Sequence, residues 1–589
     1  MAQNGTSDYK IVVPFDAPNL VNVAAEELQL FFEKSTGVKL PIISDKGLSC
    51  DNSAKYISIG RTTLLEKQSD IVITYDDLGE AGACVQTREN TVYICGASDR
   101  GTLNSTYKFM EMQFGFKAYA YDCIHIDYYN ELSLLNFNYK YDAVVDWNMG
   151  FNAESSLPAE YGYDPELLLA NARMYGYVGG DGARGLDGKL FSTWCHTIGN
   201  ILPQAKYPQY YDNGQMCYTN EEAFTVFCER LTEMYVGNQS ERWIQLGGND
   251  NVGSCQCENC NAANAQYGRS GVYMRFLNKV ADYVEKYYEA HGIDRTLRIY
   301  SLSYYATEIP PLKTDEQGNF ITDTNGNYVP VDPSVVPDSE GKVTVGIMFT
   351  PIGACWTHAL GDETCEMNKE TTQNFKGWAN LTEDILLYNY GEHWLMPAGF
   401  HDTWSYYVGS YKFYEEIGVV YALDTGRTAE LDPMSCFRVY FRNQFAWNPH
   451  IDFRTLLTDF CEEYYGPAAG MVEEYFYDYM EQHNSIYKKQ NAPCRVYSID
   501  ITATTYWPRG FWLGLQTTLK NGMHLIEQSK YSEEEKTIYK ERVFREYFLA
   551  VYHEYKYYSG SLSAAERAEK TAVLKEGFAK YTLKNDINV

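Results

Sequence analysis

Residues 8 to about 130 alternate between two patterns of apolar positions, one typical of strands and one typical of helices. Short apolar runs in YKIVVPF, YISIG and TVYICG predict strands. The helix predicted between them places apolar residues at helical spacing, at Ala24, Leu28, Phe31 and Phe32. Gly37 supplies the left-handed residue that ends this helix, and DRGTLNSTYKFMEMQFG predicts a second one. The pattern predicts a small N-terminal α/β domain over residues 1–135.

From about residue 140 the pattern changes to repeated units in which a strand is followed by a helix. The candidate strands are 142–147, 174–178, 190–194, 242–246, 297–302, 343–349, 385–390 and 419–423. The helices between them include SGVYMRFLNKVADYVEKYYEAHG, which ends at Gly292, and one opened by a capping box from Thr219 to Glu222. Eight such units predict a central (β/α)8 TIM-like barrel over residues 136–432.

An insertion over 310–342 interrupts the barrel pattern. It contains FITDTNGNYVPV, in which Asn325 and Gly326 predict the turn of a hairpin. Residues 433–589 carry long helical runs such as FRTLLTDFCEEYYGPAAGMVEEYFYDYMEQHN, so we expect a C-terminal α-helical region. The fold class is therefore predicted as α/β, with a barrel between a small α/β domain and a helical region.

Composition and charge exclude several classes of protein. With 589 residues, 45% of them hydrophobic, the chain can bury several cores and is neither disordered nor fibrous. It lacks an apolar run of the roughly 18 residues that a membrane span needs, so we expect no membrane insertion. The formal charge of −29 repels phosphates, so we expect no nucleic-acid partner. The sequence leaves the oligomeric state open.

The N-terminal segment MAQNGTSDYK is polar and lacks the apolar core of a signal peptide. This leaves two possibilities for the location of the protein. It is either secreted or held at the cell surface after its signal peptide has been removed, or it is cytoplasmic.

Aromatic residues make up 15% of the chain, with 53 Tyr, 27 Phe and 10 Trp. Sugar rings stack their C–H faces on aromatic side chains, and sugar hydroxyls pair with Tyr, Asn, Asp and Trp N–H groups. The composition is therefore typical of a carbohydrate-binding protein, and it is equally typical of a large core built with amphipathic rings. We expect a glycan or a glycoprotein as the partner.

Barrel enzymes carry their chemistry at the carboxyl ends of the strands, so the residues at those ends are candidates for a site. They are rich in carboxylates, aromatic rings and imidazoles and poor in Lys and Arg, which disfavours a phosphate site. The predicted substrate-binding residues are Asp146, Trp147, Trp194, His196, Tyr304, Tyr390, His393, Trp394 and Asp424. The predicted catalytic residues are Asp250, Asn249 and Glu392. The alternative for each is structural, such as a buried histidine, a core tryptophan, or Asp250 capping the next segment.

Three cysteines follow Asp250 within ten residues, in the segment CQCENC. The spacing Cys255-x-Cys257-x-x-Cys260 is typical of three ligands of a zinc knuckle, whose fourth ligand would come from elsewhere in the chain. A disulfide between two of them is the alternative, and the thioredoxin-like context that redox catalysis requires is absent. We interpret the cysteines as architecture for the loop after Asp250, and we predict no metal and no cofactor in the site.

Three segments resemble a known family. They are AAEELQLFFEKSTGVKLPI (24–42), CQCENC (255–260) after an Asn-Asp strand end, and FAWNPHIDFRTLLTDFCEEYYGPAA (445–469). They resemble the family catalogued as domain of unknown function 4838, part of which is glycoside hydrolase family 163. Similar first and last segments flank the barrels of family 20 hexosaminidases and α-glucuronidases. The resemblance covers about residues 8 to 480 and implies a retaining endo-β-N-acetylglucosaminidase that cuts the chitobiose core of N-glycans.

One departure from family 20 bears on the mechanism. Where that barrel has Gly-Gly-Asp-Glu, this chain has Gly247-Gly248-Asn249-Asp250, so the acid is one methylene shorter and an amide precedes it. In substrate-assisted cleavage the 2-acetamido oxygen of the substrate attacks C1, and the enzyme supplies an acid for the leaving oxygen and a group that orients the acetamide. Asp250 would be the acid/base and Asn249 the orienting group.

Two alternatives to this mechanism stay open. In the first, Asp250 acts with Glu392 as nucleophile, in a retaining glycosidase of the hexosaminidase or α-glucuronidase type. The separation of the two carboxylates would decide between the routes, and the sequence does not give it. In the second, the Asn-Asp pair has lost the catalytic acid, and the protein binds glycans without cleaving them.

Overall fold

The computed structural model describes most of the chain. The described residues are 1–49, 54–150, 165–176, 184–185, 188–189, 191–193, 195–237, 242–390, 398–399, 402–425, 431–490, 504–581, 583 and 587. The chain divides into two units. Unit 1 contains Met1–Val178, Gly391–Tyr411 and Thr425–Val589, and unit 2 contains Gly179–Tyr390 and Lys412–Asp424. Among the helices of these described ranges, none is both long and apolar enough to cross a membrane.

The N-terminal part of unit 1 is a mixed sheet with helices. Its strands are β1 (Ala2–Gln3), β2 (Lys10–Val13), β3 (Ile42–Ser44), β4 (Tyr56–Ile59), β5 (Ala83–Arg88), β6 (Thr91–Ile94), β7 (Lys117–Ala120), β8 (Cys123–His125), β9 (Glu131–Leu132), β10 (Asn138–Tyr141) and β11 (Trp147–Gly150). Its helices are α1 (Asn19–Thr36), α2 (Thr63–Glu66), α3 (Tyr75–Leu78), α4 (Asp99–Phe114) and α5 (Pro165–Arg173). The main sheet has the order β10-β5-β6-β4-β2-β3, with parallel pairs from β6 to β3 and antiparallel pairs on both sides of β5.

The first predicted helix is confirmed. Its apolar positions Leu28, Phe31 and Phe32 are buried, as the helical spacing requires. It ends at Gly37, whose φ of 73° is left-handed and whose N–H bonds to the carbonyl oxygen of Glu33. Helix α4 confirms the second predicted helix, and it ends at a left-handed Gly115 in the same way.

Unit 2 contains a curled parallel half-barrel sheet. The strands of unit 2 are β12 (Arg184–Gly185), β13 (Gly188–Lys189), β14 (Tyr211–Asp212), β15 (Gln215–Met216), β16 (Trp243–Leu246), β17 (Leu297–Ser303), β18 (Val343–Phe349) and β19 (Ile385–Tyr390). The pairs β12–β13 and β14–β15 form separate antiparallel sheets. The helices of unit 2 are α6 (Ile198–Ile201), α7 (Glu221–Leu231), α8 (Glu258–His291) and α9 (Glu366–Leu381), and α10 (Trp404–Ile417) and β20 (Tyr421–Thr425) follow in the chain. Strands β16 to β19 pair in parallel, and β20 lies next to β19.

Four of the eight predicted barrel strands correspond closely to β16, β17, β18 and β19. These strands are buried along most of their length, so their continuous apolar runs identified them correctly. The strand predicted at 419–423 is found two residues later, as β20. Phe191, in the predicted strand 190–194, forms only an isolated parallel bridge to Trp243, while Leu190 and Trp194 lie outside the described residues.

Two strand predictions near the start of the barrel are corrected. The segment predicted at 142–147 becomes a strand only at Trp147, where β11 begins. The first residues of the strand predicted at 174–178 form a turn, in which Met174 donates its N–H to the carbonyl of Asn171 and Tyr175 has a φ of 68°. A left-handed residue cannot lie inside a strand. Residues 177–178 are not described, so the complete eight-stranded barrel stays a prediction.

Helices of unit 2 begin and end near the predicted residues. Asn220, one residue after the predicted Thr219, caps α7 by accepting the N–H of Ala223. Helix α8 consists of two helical segments joined at Gly268, whose φ of 72° requires glycine, and it ends at the predicted Gly292. The predicted hairpin of the insertion is confirmed, since Thr322 bridges Tyr328 around the Asn325-Gly326 turn.

The C-terminal part of unit 1 is helical, as predicted. Its helices are α11 (Ser435–Trp447), α12 (Phe453–Tyr465), α13 (Ala469–Gln490), α14 (Arg509–Gln528), α15 (Glu533–Tyr558) and α16 (Ala564–Lys580). A buried ionic group joins three of them, because the fully buried Glu554 of α15 pairs with Arg509 and Lys570. These bonds compensate for the cost of burying the carboxylate.

Candidate active site

Strand β16 ends in a close contact that directs the following residues to the edge of the sheet. All four strand residues are buried, and Gln245 accepts the N–H of Cys195 through its side-chain oxygen at 2.7 Å. At Gly247 a Cβ atom would lie 2.4 Å from the carbonyl oxygen of Cys195, so glycine is required there. The N–H of Ile198 donates in turn to the carbonyl of Gly247. The strand end and the segment 195–198 thus form one hydrogen-bonded unit that carries Asn249 and Asp250.

Asp250, His196 and Tyr304 come together at this edge. The hydroxyl of Tyr304 donates to Asp250 Oδ1 at 3.4 Å, and His196 Nε2 lies 3.7 Å from the same oxygen. The side chain of Asp250 is 65% exposed, and the rings of His196 and Tyr304 have centroids 5.9 Å apart. A carboxylate that is open to a ligand is therefore flanked by an imidazole and a phenol.

A hydrogen bond on the other side of the imidazole decides which nitrogen faces Asp250. His196 Nδ1 lies 2.6 Å from the carbonyl oxygen of Gly248, which can only accept, so Nδ1 carries a proton. Nε2 is then the nitrogen that faces the carboxyl group of Asp250, at 3.7 Å.

Asn249 is tied to the hairpin of β14 and β15. Its N–H donates to Gln215 Oε1 at 3.0 Å, and its carbonyl accepts from Gln215 Nε2 at 2.7 Å. Its side-chain amide donates to the carbonyl of Gly214 at 2.7 Å. Gln215 is buried and donates a further bond to Asn251 Oδ1 at 3.1 Å. The amide nitrogen of Asn249 therefore supports the loop, while Asp250 is the member of the pair that is open to a ligand.

A pocket of about 70 Å³ lies beside these residues within unit 2. Its aromatic walls are His196, Tyr218, Tyr273 and Tyr304, and its polar walls include Gln215, Asn249 and Arg269. Ligand pockets commonly measure roughly 300–1,000 Å³. A volume this small fits one substituent of a sugar rather than the whole ring.

The three cysteines after Asp250 are joined by a fourth. Cys217, which follows β15, brings its sulfur to 3.7 Å from that of Cys257 and 3.6 Å from that of Cys260. With Cys255, the four sulfurs lie within 4.8 Å of one another, and all four are free thiols. Hydrogen bonding from Cys260 lowers the pKa of the Cys217 thiol. The group offers a complete set of ligands for a soft metal ion.

A second group of possible ligands lies on the loop after β18. Cys355, His358 and Cys365 have their ligand atoms within 4.8 Å of one another, and Cys355 Sγ is 3.4 Å from His358 Nδ1. The group offers three donors, one fewer than a closed zinc site needs.

Two other predicted site residues of unit 2 are buried. Tyr390 is 6% exposed and packs its ring 6.3 Å from that of Trp356. Asp424, at the end of β20, is 5% exposed. Neither side chain presents a surface comparable to that of Asp250.

The predicted residues Asp146 and Trp147 belong to unit 1, and both are buried. Asp146 Oδ1 accepts the N–H groups of Glu80 and Ala81, each at 2.8 Å. Burial raises the pKa of this carboxyl to about 7. Asp146 therefore supports the loop before β5 through these bonds.

Four further predictions fall on residues outside the described part of the chain. They are Trp194, Glu392, His393 and Trp394. The structure brings together His196, Asn249, Asp250 and Tyr304 from the predicted set.

Gln215, in β15, and Cys217, directly after it, were not among the predicted site residues. A signal was present, because Asn213-Gly214 is the dipeptide most typical of a two-residue hairpin turn. Both residues have the positive φ that this turn requires, 48° and 77°. The hairpin brings its second strand, and with it Cys217, to the loop that carries Asp250.

Glu308 was also missed, and it carries no motif that would identify it. It follows the 3₁₀ turn after β17, and burial raises the pKa of its carboxyl to about 7. Glu370 and Asn374, the groups that act on it, belong to α9. A carboxyl with such a pKa has the protonation behaviour of a general acid, although its neighbours belong to a helix rather than to the pocket.

Solved structures resemble the chain weakly. A GH138 enzyme that targets pectin rhamnogalacturonan II is 9% identical with a TM-score of 0.45, over 97% of this chain and 91% of that chain. CpGH84D is 10% identical with a TM-score of 0.47, over 98% and 91%. The chitobiase of Flavobacterium johnsoniae is 11% identical with a TM-score of 0.41, over 99% and 92%. These TM-scores are too low to carry a functional argument.

The sequence of the chain identifies its family. No curated protein matches the chain. The sequence profile described as "Domain of unknown function (DUF4838)" matches residues 131–323 and 335–478, which together exceed half of the chain. The segments CQCENC and FAWNPHIDFRTLLTDFCEEYYGPAA lie inside the matched ranges, which confirms their resemblance to this family. The segment 24–42 lies outside these ranges, and the resemblance to family 163 stays a prediction. The chain belongs to the DUF4838 family.

Proposed function

We propose that the protein is a glycoside hydrolase that cleaves the GlcNAc-β1,4-GlcNAc core of N-glycans as a retaining endo-β-N-acetylglucosaminidase. The observation that carries the proposal is the contact of Asp250 with Tyr304 at 3.4 Å and with His196 at 3.7 Å. An exposed carboxylate with a partner for its proton has what acid/base cleavage of a glycosidic bond needs. The choice of substrate is supported by the resemblance of the cysteine segment to family 163.

The proposed reaction uses the acetamido group of the substrate as nucleophile. Its carbonyl oxygen bonds to C1 while the bond from C1 to the leaving oxygen breaks, and Asp250 gives that oxygen its proton. An oxazolinium ion results. Water then attacks C1, gives a proton to Asp250, and displaces the acetamido oxygen. Two inversions at C1 leave the configuration retained.

The neighbours of Asp250 have separate roles in this scheme. His196, fixed by its bond to the carbonyl of Gly248, directs Nε2 at Asp250 and helps to hold its carboxyl in place for both proton transfers. We assign the small pocket to the 2-acetamido group, because its tyrosine rings can pack against the methyl of that group. Asn249 is then a positioning residue. Its predicted role of orienting the acetamide would require its amide to leave the carbonyl of Gly214.

The proposal also includes the domain architecture and an alternative nucleophile. The complete (β/α)8 barrel and the division at residues 1–135, 136–432 and 433–589 are the architecture that we expect to carry this site. Glu392 is the alternative nucleophile, in a two-carboxylate route of the hexosaminidase or α-glucuronidase type, and Trp194, His393 and Trp394 would line the same substrate cleft.

Incubation with an N-glycosylated protein, followed by mass spectrometry of both products, tests the proposal. We expect a released glycan that ends in one GlcNAc and a protein that keeps the other. Asp250→Asn should slow the release by a factor of about 10² to 10⁴, while Asp294→Asn, the same change at an exposed carboxylate paired with Lys342, should leave it unchanged. Glycoprotein that stays intact but is retained on the immobilised protein would instead establish a glycan-binding protein. Hydrolysis of an α-glucuronosyl substrate alone would establish the other glycosidase type.

A further inference from the structure

We propose that Cys217, Cys255, Cys257 and Cys260 bind one zinc ion in a closed site that holds the loop carrying Asp250. The proposal does not depend on the proposed reaction, because it rests on four side chains and on their surroundings. It replaces the sequence-based expectation that no metal is bound near the site.

The distances between the sulfur atoms fit a tetrahedral zinc site. Zinc–sulfur bonds of about 2.3 Å place neighbouring sulfurs about 3.8 Å apart. Cys217 Sγ lies 3.7 Å from Cys257 Sγ and 3.6 Å from Cys260 Sγ, and all four sulfurs are within 4.8 Å of one another. A disulfide would require about 2 Å between two sulfurs. The sulfurs are therefore spaced for a shared ion.

Ordinary packing of free cysteines is the alternative explanation. A buried thiol behaves as a small apolar group, so an apolar core would mix it with aliphatic and aromatic side chains. The buried cluster here consists of Cys217, Cys255 and Cys260, and its partly buried neighbour is Cys257. A cluster made of sulfur side chains alone points to a ligand that sulfur binds selectively, and thiolates select zinc among the common ions.

Hydrogen-bond donors lie close to the sulfur atoms that would bind zinc as thiolates. Cys257 is the N-cap of α8, and the N–H of Cys260 points at its sulfur from 3.4 Å. The positive end of the helix favours a thiolate at this position. The hydroxyl of Thr219 lies 3.1 Å from Cys260 Sγ and 3.5 Å from Cys217 Sγ. These donors act on the ligands as the outer shell of a metal site does.

The ligand set indicates a structural ion. Four sulfur ligands leave no open position for water or substrate, so the ion would not take part in the chemistry. It would join the hairpin of β14 and β15 to the loop between Asp250 and α8. That loop, residues 251–257, consists mostly of polar residues and cysteines, and its one large apolar side chain, Val252, is 67% exposed. Because the loop buries little apolar surface, a metal would contribute much of its order.

The metal content of the purified full-length protein tests the proposal. After expression with added zinc and exchange into metal-free buffer, inductively coupled plasma mass spectrometry should find about one zinc per chain. Replacement by Co²⁺ should give the charge-transfer and visible bands of a tetrahedral cobalt thiolate. A protein without zinc that also gives no such bands, stoichiometric iron, or a disulfide among the four cysteines in the intact mass would each overturn it.

Serine variants separate these thiols from other cysteines of the same unit. Cys217→Ser and Cys257→Ser should each lower the zinc content at least tenfold. Cys228→Ser, at a buried free cysteine of α7 outside the group, should leave it unchanged. If a variant does not fold, the zinc ratio and cobalt spectrum of the wild type still decide. A zinc-loaded protein without glycosidase activity would uphold this site and refute only the proposed function.

Discussion

Gln215 is the side chain whose loss should most directly release the loop of Asp250. It makes three bonds, two with the backbone of Asn249 at 3.0 and 2.7 Å and one with Asn251 at 3.1 Å. Each neutral bond is worth about 0.5–1.5 kcal/mol, so Gln215→Leu removes about 1.5–4.5 kcal/mol. Water can reach the half-buried Asn249 and replace part of the loss, so we expect about 2 kcal/mol.

For a domain the size of unit 2, this loss corresponds to a fall of about 4–8 °C in the melting temperature. Activity should fall by a factor of about 10 to 100, because a displacement of Asp250 by about 1 Å is enough for that. Differential scanning fluorimetry and the glycan-release assay measure the two effects, and zinc content should stay unchanged because no sulfur is touched.

Gln256→Leu is the matched control, since Gln256 lies on the same loop but is exposed and bonds only to Ser254 through its side chain. Its melting temperature and activity should stay close to those of the wild type. If Gln215→Leu behaves like this control, the hairpin does not hold the loop and the positioning argument fails.

Three further predictions concern carboxyl and amide groups. Asp250→Asn should lower turnover of natural glycan by a factor of about 10² to 10⁴ and much less for aryl glycosides, whose leaving groups need no proton; equal losses on both would exclude it as the acid. Asn249→Ala should lower turnover of both substrates and Glu392→Gln should keep substantial activity; an inactive Glu392→Gln, together with labelling of Glu392 by a fluorosugar in the wild type, would establish the two-carboxylate route. Burial raises the pKa of Asp146 to about 7, so the folded protein holds the proton of this carboxyl more tightly than the unfolded chain does. The contribution of Asp146 to stability is therefore complete below about pH 4 and is lost as the pH rises through 7. Urea titrations should show this slope for the wild type and not for Asp146→Asn, and identical slopes would contradict it.

Patterns within short segments correctly predicted those helices and strands whose formation depends mainly on their own sequence. The helix ending at Gly37 and the buried strands β16 to β19 follow from spacing and from continuous apolar runs. The turn at Met174 and Tyr175 was not predictable in this way, because its apolar residues look like a strand and only the left-handed φ of Tyr175 excludes one.

The site was predictable in part for the same reason. Position at a strand end identified Asp250, His196 and Tyr304, which the structure brings together. The same rule selected Asp146, whose carboxylate instead accepts N–H groups from Glu80 and Ala81. The end of a strand indicates where a side chain is attached, but it does not indicate which neighbouring groups will form hydrogen bonds with that side chain. Cys217 was not predicted because the other three cysteines of the group are distant from it in sequence, and only the hairpin brings it close to them.

We interpret the cysteine group as support for the loop that carries the candidate acid. A general acid must be held within a fraction of an ångström, yet Asp250 is 65% exposed and lies on a loop with little apolar surface of its own. Two features hold its position, the contact of Gly247 with Cys195 and the bonds of Gln215. The zinc site proposed at residues 217, 255, 257 and 260 would add a third. Rigid support at the base of the loop leaves the carboxylate itself open to a large glycan. Under both proposals, the cysteine segment that follows the candidate acid in the sequence supports that acid without taking part in the chemistry.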